Sequence, residues 1–111
     1  MRGRVHPALP VSLAALLFLP APLWAAAPQT HVVVMDKMKF GPLPAKARVG
    51  DTILWVNKDM FKHTATAKDG SFNVDLAAGA KGKTVLRKAG QIPIVCKYHP
   101  AMRAVLKVAP K

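Results

Sequence analysis

Cys96-Lys97-Tyr98-His99-Pro100-Ala101-Met102 sets a thiol, an imidazole and a thioether at intervals of three residues near the end of the chain. A further histidine, His63, opens an upstream run of β-type residues. One thiolate, two imidazoles and a more distant thioether form the donor set that a single copper ion takes in electron-transfer sites. Soft sulfur favours Cu(I) while imidazole suits either oxidation state, so such a set suits a carrier better than a catalyst. Zinc is the other metal that Cys/His donors attract. Seven extended residues span at most about 25 Å, so the segment must fold back if its donors share one ion. Pro100 favours that reversal because it cannot continue a strand ladder.

Other chemistry finds few residues. Cys96 is the only cysteine, which excludes an internal disulfide framework and zinc fingers of the two- or four-cysteine kind. Five dispersed Asp and no Glu offer no paired carboxylates for acid–base work. Ser71 is the only serine beyond residue 28, and nothing around it resembles a nucleophile elbow. Glycine-rich phosphate loops are absent. His31 reads as a surface histidine, and Met35, Met38 and Met60 as core or loop packing. No enzyme is expected.

The elements that must position the donors are short strands. β-type runs fall at 30–38, 46–49, 52–57, 63–68, 81–88, 92–96 and 103–109. Gly41-Pro42, Gly50-Asp51, Asp69-Gly70, Ala89-Gly90 and His99-Pro100 punctuate them. Even spacing of short strands predicts an antiparallel sandwich or barrel. Alternation groups Ile92, Ile94 and Cys96 on one face, and His63 with Ala65 and Ala67 on another. Both donors therefore point between two sheets. Trp55 and Phe40 are expected core aromatics.

The first 27 residues read differently. Arg2 and Arg4 precede 24 uncharged residues that include the apolar run 11–19 and end in Ala25-Ala26-Ala27. Basic start, apolar middle and small-residue end describe a secretory signal peptide, cleaved near 25–27, ahead of a domain over 28–111. An uncleaved anchor would be long enough to span, but five prolines between residues 5 and 28 would break or kink its helix. Export explains the thiol as well: a free cysteine in an oxidising compartment is a liability unless a metal holds it.

The 111 residues carry 17 Lys+Arg and a formal charge of +12; without Arg2 and Arg4 the remainder stands at +10. An apolar fraction of 51% is too high for a disordered polycation. So basic a surface fits steering toward an acidic partner, with binding that weakens as salt rises. Nucleic-acid binding fits the charge but neither export nor an aromatic content of 6%.

Together, Val49-Gly50-Asp51-Thr52-Ile53-Leu54-Trp55-Val56-Asn57, His63-Thr64-Ala65-Thr66, Phe72, Gly90 and the Cys96-to-Met102 loop resemble the small bacterial cupredoxins of the amicyanin/plastocyanin-like group. The tight C-x-x-H-x-x-M spacing resembles the amicyanins in particular. The resemblance covers essentially all of 28–111 and implies a Greek-key β-sandwich of about seven to eight strands. It implies one type 1 copper ion, with His63, Cys96 and His99 as strong ligands and Met102 as the weak axial one. Thr64 and Pro100 flank the ligands, and Asn57 resembles a family asparagine that ties the first-histidine loop to the cysteine loop. His99 corresponds to the ligand whose ring edge reaches the surface, within an apolar patch of Met60, Phe61, Pro100 and Ala101.

The chain departs from the pattern in having Ile92, Pro93 and Ile94 where the family often has tyrosines. Lys62, Lys97 and Arg103 also crowd the site with charge. The expected function is that of a periplasmic blue copper protein, a monomer that passes single electrons to a transient, acidic redox partner such as a cytochrome or an oxidoreductase. A periplasmic carrier that delivers or sequesters copper is the alternative.

Overall fold

Inward-facing aliphatic and aromatic side chains from two sheets meet in one core. The structure, a computed structural model, describes residues 3–10, 14, 17–20 and 27–111. Nine strands follow in order: β1 (Thr30–Asp36), β2 (Lys39–Phe40), β3 (Ala47–Arg48), β4 (Thr52–Asn57), β5 (His63–Ala67), β6 (Asn73–Leu76), β7 (Lys81–Val85), β8 (Gly90–Cys96) and β9 (His99–Ala109). No helix occurs among the described residues. One sheet has the order β2-β1-β4-β7 and the other β3-β9-β8-β5-β6. The chain passes between them after β2, β3, β4, β6 and β7.

Alternation decides which residues fill the core. In β4 Ile53, Trp55 and Asn57 are buried while Thr52, Leu54 and Val56 are half-buried on the outer face. Val33 and Met35 of β1, Ile92 and Ile94 of β8, and Leu106 and Val108 of β9 complete the inner faces. Each buried aliphatic or aromatic side chain contributes about 1.5–3 kcal/mol by leaving water. Trp55 is the largest: its ring meets Phe40 and Phe72 at centroid distances of 6.1 Å, and its Nε1–H donates to Thr84 Oγ1 at 3.2 Å. The expected core aromatics are thus in place, and the indole N–H is satisfied.

The architecture differs from the antiparallel expectation in two pairings. β1 runs parallel to β4, from Thr30↔Thr52 to Met35↔Asn57, and β3 runs parallel to β9. Parallel neighbours need a crossover, and the excursion through β2 and β3 supplies it for β1 and β4. Two strands were not expected. Lys39–Phe40 is only a two-residue return from a tight turn, and Asn73–Leu76 contains Asn and Asp, which strands disfavour.

The β1–β2 turn is unusual. Lys37 and Met38 both adopt left-handed backbone, at φ of 52° and 62°, a conformation that ordinarily selects Asn-Gly. Their amides are claimed by a residue from another loop: Lys37 N donates to Asp59 Oδ1 at 2.7 Å and Met38 N to Asp59 Oδ2 at 2.9 Å.

The segment expected to be a leader lies partly outside the described residues, including Ala25 and Ala26 of its expected cleavage region. Among the described residues no helix is long and apolar enough to cross a membrane.

Candidate metal centre

The three strongest expected ligands converge at one end of the sandwich. His63 is the first residue of β5 and has no exposed surface; Cys96 is the last residue of β8 and is buried; His99 opens β9 and is half-buried. One nitrogen from each imidazole and the Cys96 sulfur all lie within 4.8 Å of one another. Cys96 Sγ is 3.8 Å from His63 Nδ1, and the two imidazole rings meet edge to face at a centroid distance of 5.0 Å.

These placements follow from the backbone. Lys97 and Tyr98 form a two-residue turn, so that Cys96 and His99 face each other across the β8–β9 ladder. The ladder resumes with Val95↔Arg103, leaving Pro100, Ala101 and Met102 as an extra stretch on β9 alone. This is the reversal that the loop spacing requires. Met102, within the bulge, is buried and belongs to the same core cluster as Cys96; Pro100 is exposed.

On the other side of Cys96, pairing of β5 with β8 covers Thr66↔Val95 and Ala67↔Ile94 and then stops. Beyond it the sulfur takes the place of a ladder carbonyl. Thr64 N donates to Cys96 Sγ at 3.3 Å, and Lys97 N donates to Thr64 Oγ1 at 2.9 Å. An N–H aimed at sulfur orients it and damps its electron density.

His63 is oriented by Asp59. Its Nε2 lies 2.7 Å from Asp59 Oδ2, so the N–H tautomer at Nε2 leaves the Nδ1 lone pair directed toward Cys96. Burial alone would raise the Asp59 carboxyl, but hydrogen bonds from Met38 N–H, His63 and Lys37 N–H outweigh it and hold the group below its ordinary range. Asp59 thus stays an anion and an acceptor. Sequence reasoning missed it. The available signal was its place four residues before His63, but that spacing has no meaning inside a loop until the loop's path is known.

Asn57 corrects another expectation. Its Nδ2 donates to Phe61 O at 2.7 Å and reaches Leu76 O and Ala77 O at 3.1 and 3.2 Å, while its Oδ1 accepts from Asp59 N at 2.9 Å. It therefore ties the histidine loop to the end of β6, and the tie to the cysteine loop is made by Thr64. The reason is register: His63 pairs with Leu76, so β6 rather than β8 lies next to this loop. His31 also differs from expectation. It is half-buried, with Nε2 2.9 Å from Asp51 Oδ2.

An exposed apolar surface surrounds the His99 edge. Met60, Phe61 and Tyr98 are 89%, 58% and 50% exposed, and the Phe61 ring stands edge-on to His99 at 6.3 Å. Pro100 and Ala101 are exposed beside them. Lys62 Nζ sits 5.3 Å above the Tyr98 ring, and exposed Lys58, Lys97 and Arg103 add further positive charge.

The donor set fits a late first-row metal ion. Bonds of about 2.0–2.3 Å at tetrahedral or trigonal angles hold donor atoms about 3.3–4 Å apart, which the sulfur–imidazole pair already satisfies. Two facing sheets with a His/Cys/His cluster at one end, its thiol and one imidazole buried, define a class, that of the blue copper electron-transfer proteins. The chain belongs to the cupredoxin-like domain family, whose model matches residues 9–108. It is a small member of the amicyanin group.

It is 28% identical over 105 residues to amicyanin of Paracoccus denitrificans, covering 79% of this chain and 73% of that one. The crystal structure of amicyanin from Paracoccus versutus superposes with a TM-score of 0.60 at 26% identity, over 71% of this chain and 80% of that one. A Cu-containing nitrite reductase from Thermus scotoductus SA-01 gives a TM-score of 0.63 at 26% identity. That match covers 75% of this chain but only 23% of the reductase.

Proposed function

We propose that this chain is a type 1 copper protein of the periplasm that carries single electrons between redox partners. The observation that carries this reading is the buried pair Cys96 Sγ and His63 Nδ1, 3.8 Å apart, with a His99 nitrogen beside them. Copper, when bound, supplies a Cu(II)/Cu(I) couple that changes by one electron. His63, Cys96 and His99 would hold the ion as strong donors, and Met102 would add a weaker thioether. Asp59 keeps the His63 ring oriented, and Thr64 N–H keeps the sulfur oriented, so both donors are fixed before any ion arrives. Their burial keeps water from the sulfur. With Met102 as a fourth donor the site would be filled, which would leave no position for a substrate and argues against an enzyme.

Residues 1–27 direct export and are then removed by cleavage near 25–27, and the domain over 28–111 acts as a monomer. Electrons pass through the half-buried His99 edge, where Met60, Phe61, Tyr98, Pro100 and Ala101 offer an apolar contact. Lys58, Lys62, Lys97 and Arg103 around it draw in an acidic partner, a cytochrome or an oxidoreductase.

Reconstitution with Cu(II) tests the reading. Intense visible thiolate-to-copper absorption is expected, bleached and restored by a reductant and an oxidant, and lost in Cys96→Ser. A colourless adduct that does not cycle would overturn it. Retention of copper against a strong Cu(I) chelator is expected of a carrier of electrons; rapid loss would indicate a carrier of copper instead.

A further inference from the structure

The end of the sandwich opposite the copper ligands carries a basic groove that the proposed electron transfer does not use. Ala45, Lys46 and β3 line it on one side, Gly90 and Gln91 of β8 on the other, and Lys107, Val108 and Ala109 of β9 complete it, around a cavity of about 600 Å³. Its ionisable side chains are Lys46, Arg48 and Lys107, all cations, and no carboxylate lines it. Among the described residues none of the three sits in a salt bridge. The neighbouring acid, Asp51, is buried, and its oxygens are engaged by Gln29 N, Arg48 N and His31 Nε2. Three like charges held around one concavity repel each other, an arrangement that an anion between them relieves.

We propose that this groove is a binding site for a phosphate-class oxyanion. Arg48 offers a planar fork that matches two oxygens of one phosphate, and Lys46 and Lys107 offer point charges for the rest. Gln91, opposite Lys107 in the β8–β9 register, adds a neutral amide donor. β9 runs eight residues from His99 to Lys107, roughly 25 Å, so an occupant here does not touch the copper end. Either a soluble phosphate compound or the phosphate of a lipid headgroup offers this chemistry. In the second case the protein would be held at a membrane surface with its His99 edge turned away from it.

The test is a titration of the protein, as isolated from an exporting bacterial host, with inorganic pyrophosphate at fixed ionic strength, followed by amide NMR. Saturable shifts are expected at Arg48, Gly90, Gln91 and Lys107, with binding about tenfold weaker in K46Q/R48Q/K107Q. The double variant K81Q/K83Q, which removes charge from a different sheet, should bind as the parent does. Shifts spread evenly over the lysine-rich surface, or equal binding by the groove variant and the parent, would overturn the proposal. The parent's shift map decides the matter even if the triple variant folds poorly. Sedimentation with phosphatidylglycerol vesicles separates the two sources. Retention that pyrophosphate competes away identifies a headgroup site, and pyrophosphate binding without retention identifies a soluble ligand.

Discussion

Thr64 and Cys96 are joined in two directions: the Thr64 N–H points at the sulfur, and the Thr64 hydroxyl oxygen receives the N–H of the residue that follows the cysteine. The backbone bond survives any side-chain change at 64, whereas the second bond depends on the hydroxyl. Thr64→Val loses that bond and the one between the Thr64 and Thr66 hydroxyls, and should keep the visible absorption of the copper form while lowering stability by about 1–3 kcal/mol, the worth of two hydrogen bonds. Chemical denaturation and a spectrum of the same samples check both halves.

Asp59 serves the metal centre and the β1–β2 turn together. Asp59→Ala leaves His63 Nε2 and the Lys37 and Met38 amides without their acceptor, and should weaken metal affinity by about 10–100-fold as well as stability. Asp59→Asn keeps one acceptor oxygen and should lie between the two. Met38→Gly should relieve the left-handed backbone and stabilise by about 0.5–1 kcal/mol without changing metal affinity. Chelator competition and denaturant melts measure the two effects separately.

At Gly82, β7 comes close to β6 of the opposite sheet. A Cβ there would lie 2.5 Å from Val74 Cγ1 and 3.3 Å from Leu76 Cδ2. Valine is too short to swing aside, so Gly82→Ala should cost about 1–3 kcal/mol. Combining it with Val74→Ala should recover part of the loss, as a double-mutant cycle of unfolding free energies would show.

Asp51 predicts an acid limit. Burial alone would raise its carboxyl, but hydrogen bonds from Gln29 N–H, His31 and Arg48 N–H outweigh it and hold the group below its ordinary value. A depressed folded value means stability that is present above about pH 4 and lost as pH falls through the lowered value. The stability gap between the parent and Asp51→Asn should therefore be full near neutrality and shrink below about pH 4. Thermal melts across that range would reveal a gap that fails to close.

The convergence of the three candidate donors was legible because their signals are local. His63, Ala65 and Ala67 alternate cleanly, as do Ile92, Ile94 and Cys96, so parity alone turned both donors inward, where the structure has them. Loop spacing gave His99 its place across the turn from Cys96. What escaped depends on distant partners. The parallel pairing of β1 with β4 is written in neither strand, since either could take an antiparallel neighbour. Asp59 acquires its role only when the β1–β2 turn arrives beside it, and Asn57 only when β6 closes over its loop. The four-residue β6 was masked by the Asn and Asp that face outward from it.

The way β8 and β9 re-engage after their turn has a consequence for inheritance. Because Val95 and Arg103 restore the pairing whatever lies between, Pro100, Ala101 and Met102 hang outside the hydrogen-bonded framework. Residues can be gained or dropped there without sliding either strand past its neighbour. Descendants of one sandwich are then free to vary the hinge that carries their softest donor, and so to diversify in redox character, while the body of the molecule stays as it was.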